Sequence, residues 1–112
     1  MKIEDIDRLQ DIVEHAREAV SFVQDRTEEE FLDDRLRTLG VTRLIEIIGE
    51  ASNNLSKKFR SEHPEIPWGQ ITGMRHRIVH HYHGVSVRTV YQVVKEDLPE
   101  LILTVERIVA AS

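Results

Sequence analysis

The sequence predicts an all-α fold, an up-and-down bundle of four or five helices in one domain over residues 1–112. Three observations lead there. Apolar residues recur at three- and four-residue steps along almost the whole chain, the stripe of amphipathic helices. No segment makes a convincing strand pair, because the β-branched pairs Ile78-Val79 and Val93-Val94 each lie within a helical period. At 112 residues and 40% apolar content, the chain has enough for one core and too little for two.

The elements follow in order. Ile3, Ile6, Leu9, Ile12, Val13, Ala16, Ala19, Val20 and Val23 trace one face of a helix of about twenty residues. Thr27-Glu28-Glu29-Glu30 has the form of a capping box, and its acids suit the positive end of a helix dipole. The apolar steps from Phe31 to Leu55 predict one long helix, or two nearly coaxial ones, ending near Lys57-Lys58. Gly49, midway along that apolar face, would let another helix come close. Ser61 to Pro67 is a connector with two prolines, and Pro67 suits the first turn of the next helix. That helix is predicted from about Pro67 to Tyr82, stopping by Gly84. Ser86 would cap a helix from Val87 onward, and Asp97 would cap a last one carrying Leu101, Ile102, Val105, Ile108 and Val109.

Composition narrows the function classes. Without cysteine there is no disulfide framework, thiolate metal site or thiol nucleophile. No apolar run is long enough to span a membrane, and the acidic start lacks the apolar stretch of a signal peptide, so a cytoplasmic location is expected. A net charge of −5 argues against a uniformly basic nucleic-acid binder. The charge is unevenly placed, however. Residues 1–34 carry twelve acids and four bases, whereas residues 66–95 carry Arg75, Arg77, Arg88, Lys95 and no acid. The same stretch holds His76, His80, His81 and His83. Either its acidic partners lie elsewhere in the fold, or it forms a site for an anion such as a phosphate, with Arg77 and Arg88 as further contacts.

Within the predicted helix from Pro67, Trp68, Ile71, Met74, Ile78, Val79 and Tyr82 share a core face. Arg75 and Tyr82 lie nearly in line, and His76, His80 and His83 form an adjoining stripe. Each has a plainer reading: Arg75 paired with Glu46 or Glu50, Tyr82 as a core residue with a wet hydroxyl, and His81 as a solvated side chain. The histidine stripe also has helical metal spacing, but it supplies only imidazoles beside arginines, which disfavour a dication; no metal or other cofactor is expected. Arg with His suits metal-independent cleavage of RNA. Imidazole moves protons near neutrality, and a guanidinium stabilises the pentavalent phosphorane. One histidine supplies one proton-transfer group, so this chemistry implies a homodimer that brings two together and doubles the positive stretch.

The segment around Arg75, His80 and Tyr82 resembles the HepT branch of the HEPN superfamily. That branch is marked by an Arg, four residues, a His, one residue and a Tyr. Leu44 to Ala51, with its Gly-Glu-Ala, Trp68 to Arg75, and Asp97 to Leu101 are similar to further segments of that family, in the same order. The resemblance implies a helical homodimer with the motif at an interface cleft. It implies a metal-independent endoribonuclease toxin, and an antitoxin partner of the minimal nucleotidyltransferase (MntA) type that attaches AMP to the motif tyrosine. Carried over, Arg75 binds and polarises phosphate, His80 transfers the proton and Tyr82 is the adenylylation target. The residue after the motif arginine is commonly Asn or another small polar group in that family. Here it is His76, which would reorient the Arg–His pair or serve as an auxiliary imidazole. The alternative is a nucleotide- or partner-binding module without catalysis, paired with such a nucleotidyltransferase. A plain helical interaction domain would leave the Arg and His cluster unexplained.

Overall fold

In the computed structural model, which describes residues 1–80 and 84–112 and the side chains of all of these except 79, 80, 84 and 85, the first helix forms as the periodicity predicts. This helix, α1 (Ile3–Ser21), buries Leu9, Ile12, Ala16 and Ala19 completely. Each large aliphatic side chain so buried contributes about 1.5–3 kcal/mol relative to exposure. The stripe departs at its start: Ile3 is 74% exposed, while Asp5 is buried. The Asp5 carboxylate accepts from the Ser56 backbone N–H at 2.9 Å and from the Ser56 hydroxyl at 2.7 Å. These bonds, with Lys2 and Arg8 nearby, outweigh the opposing effect of burial and hold the Asp5 pKa below the ordinary carboxylate range.

The capping box forms as expected. The Thr27 hydroxyl accepts from the Glu30 N–H and the Glu30 carboxylate accepts from the Thr27 N–H, opening α2 (Glu28–Asp33). The predicted long helix is divided at Asp34, whose backbone is extended and whose carboxylate caps α3 (Arg35–Asn53) through the Arg37 N–H. Its predicted end is also corrected: Lys57-Lys58 begin a helix, α4 (Lys57–Glu62), rather than finish one. Ser56 is the reason, since its hydroxyl accepts from the Phe59 N–H at 3.1 Å while donating to Asp5. Gly49 is buried against α5 (Trp68–Thr72), with the Ile71 carbonyl oxygen 3.7 Å from where a Cβ would sit.

The helix expected from Pro67 to Tyr82 is broken twice. Pro67 precedes α5 as its N-cap, accepting from the Gln70 and Ile71 N–H groups. The Trp68 indole donates to the last carbonyls of the preceding turn, at Arg60 and His63, and so anchors the start of α5. The first break is at Gly73, which ends α5 with its N–H on the Gly69 oxygen; a Cβ there would stand 2.9 Å from that oxygen. Only a residue without a side chain allows this approach. The next helix, α6 (Met74–Ile78), is short, and the chain then turns extended. The strands β1 (Val79–His80) and β2 (Gly84–Val85) pair antiparallel, with Val79 opposite Val85 and His80 opposite Gly84. The expectation of no strand pair is thus overturned at one place. Ile78, Val79 and Val85 are β-branched residue types that suit extended backbone, and a 2.7 Å bond from the Ser86 N–H to the Ile78 oxygen closes the pair.

Ser86 caps α7 (Val87–Glu96) through the Thr89 N–H, as predicted. Asp97 precedes α8 (Leu98–Ala110), but its carboxylate does not cap it; it accepts from Arg77 instead, at 2.6 Å. The fold is all-α in class. Its four long helices, α1, α3, α7 and α8, carry most of the core, and α2, α4, α5 and α6 are short. Among the described residues, no helix is long and apolar enough to cross a membrane.

Candidate active site

The approach to the motif is fixed from below. Ile71, Met74 and Ile78 are buried, so α5 and α6 lie on the core and the intervening residues face outward. Arg75, His76 and Arg77 are all exposed on α6. His80 stands on β1, opposite Gly84, and its side chain lies outside the described residues, as do Tyr82 and the other residues between 80 and 84. Because the backbone leaves the helix after Ile78, His76 on α6 and His80 on β1 do not share a helix face; the expected places of His83 in that stripe and of Tyr82 in line with Arg75 lie outside the described residues. The i, i+4 spacing that would have suited a metal on a helix face is lost with that shared face. Among the described residues, no three His, Asp or Glu side chains are grouped to hold a metal ion.

The bases of the acid-free stretch do find partners from elsewhere in the fold. Arg75 Nε lies 3.8 Å from Glu46 Oε2 on α3, one of the two acids weighed for it from the sequence. Arg77 pairs with Asp97 at 2.6 Å, and Arg88 pairs with Glu28 of α2 at 3.0 Å. Lys95 sits over the Tyr91 ring, 5.8 Å from its centroid. The local excess of positive charge in the sequence is therefore partly balanced in three dimensions. The three pairs differ, however. Those of Arg77 and Arg88 are hydrogen-bonded, whereas that of Arg75, a side chain as exposed as Arg88, is longer than a hydrogen bond. Of the three, Arg75 is the guanidinium whose N–H groups are most available to an anion.

The structure adds to the neighbourhood of Arg75 a residue that the sequence did not single out, Arg43. It lies on α3, three residues before Glu46, and its NH1 is 3.7 Å from the same carboxylate oxygen that faces Arg75. The signal was present in part: Arg43, Glu46 and Glu50 lie at i, i+3 and i+7, along one side of a helix. What the sequence lacked was the packing of α3 against α6.

A model of the family described as "Ribonuclease HepT-like" matches residues 6–108. A protein of Thermococcus cleftensis named as a probable ribonuclease HepT is 43% identical over 101 residues, covering 90% of this chain and 92% of its own. A protein of Methanocaldococcus jannaschii, named as a candidate RNase, is 36% identical over 88% of this chain and 90% of its own. One of Caldanaerobacter subterraneus, named likewise, is 38% identical over 80% and 83%. No solved structure matches the chain. With a family model spanning nearly every residue and relatives aligned along almost their whole length, the chain belongs to the HepT-like ribonucleases of the HEPN superfamily.

Proposed function

We propose that this protein is a metal-independent endoribonuclease that acts as the toxin of a toxin–antitoxin pair. The observation that carries the reading is the exposed, loosely held Arg75 guanidinium, set five residues before His80 in a chain that belongs to a ribonuclease family. In the reaction, the 2′-hydroxyl of RNA attacks the adjacent phosphorus and loses its proton to His80. Arg75 stabilises the charge on the phosphorane, and the bond to the 5′-oxygen breaks as that oxygen takes a proton from the His80 imidazolium of a second copy of the chain. The products are a 2′,3′-cyclic phosphate and a 5′-hydroxyl. His76 is an auxiliary imidazole, and Arg77 and Arg88 extend the contact to RNA when phosphates exchange for Asp97 and Glu28.

A single His80 supplies one proton transfer, so the working unit is a homodimer. The exposed Leu36 and Leu39 on α3, the helix that carries Arg43 and Glu46, favour a second copy seated there. The partner that restrains the toxin is a minimal nucleotidyltransferase that transfers AMP from ATP to the Tyr82 hydroxyl, releasing pyrophosphate. A bulky anion then stands where RNA phosphate would bind. Light scattering should give twice the chain mass. Co-expression with such a nucleotidyltransferase should add AMP increments to the intact mass, and these should vanish in Tyr82→Phe. Increments that persist would move the modification to another residue.

A second reading is a nucleotide- or partner-binding module without catalysis. The observation that favours it is the pairing of Arg75, Arg77 and Arg88 with acids of other helices. Cleavage that is identical in wild type, Arg75→Ala and His80→Ala would decide for it.

A further inference from the structure

Glu46 holds two arginines, and only one of them belongs to the motif. Arg43 NH1 lies 3.7 Å from Glu46 Oε2, and Arg75 Nε lies 3.8 Å from the same oxygen. Arg43 is also 3.7 Å from Glu50 Oε1. The Glu46 side chain is 28% exposed, while those of Arg43 and Arg75 are 59% and 66% exposed. One fairly sheltered carboxylate thus sits between two guanidiniums that face solvent. Without it, two like charges on neighbouring helices would repel and spread apart. With it, they stay side by side.

All three contacts are longer than a hydrogen bond, so among the described residues these carboxylates leave the N–H groups of both guanidiniums able to donate elsewhere. Exposed ion pairs of this kind contribute little to stability. A phosphodiester, by contrast, takes short, charge-assisted, forked bonds from arginine. We propose that Arg43 is a further phosphate-binding residue of the RNA site, held beside Arg75 by Glu46 as a positioning residue. The two guanidiniums would take neighbouring phosphates of one strand, the scissile one at Arg75 and the adjoining one at Arg43. The inference rests on the ribonuclease reading and adds to it a residue outside the motif.

The test is binding of a single-stranded RNA with 2′-O-methyl groups, which cannot be cleaved, measured over a range of salt concentration. Each phosphate contact contributes about 0.7 to the slope of log affinity against log salt for single strands. Arg43→Gln should lower the slope by about that amount and weaken binding roughly threefold to tenfold at low salt. Arg43→Lys should keep most of the slope, because it keeps the charge. Arg17→Gln, the same loss of charge on α1 where Arg17 pairs with Glu106, should leave the slope as in wild type. A slope unchanged in Arg43→Gln but lowered in Arg75→Gln would overturn the role of Arg43 and leave the ribonuclease reading standing. Wild-type protein that fails to bind the RNA would overturn both.

Discussion

Replacing Gly73 with alanine should both destabilise the protein and disturb the site. The added Cβ would stand 2.9 Å from the Gly69 carbonyl oxygen. That oxygen is backbone and accepts the Gly73 N–H, so it cannot swing aside as the end of a side chain would. The junction of α5 and α6 must open instead. Forcing a methyl group into a closed space costs about 1–3 kcal/mol. The loss of unfolded-state freedom on going from glycine to alanine returns about 0.4–1 kcal/mol. The net expectation is a destabilisation of about 1–2 kcal/mol, or roughly 4–8 °C in Tm for a chain of this size. Gly69→Ala is the internal control. A Cβ there meets nothing within 4 Å inside a helix, so the substitution should be neutral or stabilising. Thermal unfolding by circular dichroism reads both. Because Arg75 lies two residues beyond Gly73, RNA cleavage by the alanine variant should fall even at temperatures where it is fully folded. A Gly73→Ala protein as stable as Gly69→Ala would refute the argument from close approach.

Other expectations follow from the contacts. Asp5→Ala would leave the Ser56 N–H and hydroxyl without their acceptor at a buried site, costing about 1–3 kcal/mol in urea unfolding. Ser56→Ala removes the α4 cap and one of the same bonds, so the double variant should lose less than the two single variants together. Additive losses would show that the two residues act separately. The lowered pKa of Asp5 also sets a pH dependence. Its stabilisation is fully present above the unfolded-state value of about 3.9 and is lost as the pH falls through the lower folded-state value. The acid-induced loss of stability should therefore be shallower in Asp5→Asn than in wild type; equal slopes would contradict the assignment.

Local signals were legible in the sequence. The stripe of α1, the capping box at Thr27 and the cap at Ser86 each depend on residues within one or two turns, and each is where the spacing put it. The failures share a different cause. Asp5 sits near the start of α1, where the pattern expected solvent, because Ser56, 51 residues away, completes its hydrogen bonds. Asp97 has the form of a helix cap but answers to Arg77, 20 residues earlier. The helix predicted to Tyr82 is broken at Gly73 by close backbone contact and ends at Ile78 because pairing of Val79 and His80 with Val85 and Gly84 outweighs a periodicity that treats Ile78-Val79 as helical. At the candidate site, the sequence singles out Arg75 through its motif but not the Arg43 that the fold sets beside it. Its claim rests on α3 and α6 lying side by side, which no local pattern records.

The most direct test of the central claim is cleavage of single-stranded RNA by the purified protein in the presence of EDTA. Wild type should cleave, leaving 2′,3′-cyclic phosphate ends. His80→Ala should lose about 10²–10⁴-fold in rate, as when a proton-transfer group is removed. Arg75→Ala should lose about 10²–10³-fold, as when a donor to transition-state charge is removed, with circular dichroism unchanged in both. Cleavage that EDTA abolishes, or that survives undiminished in both variants, would contradict the account.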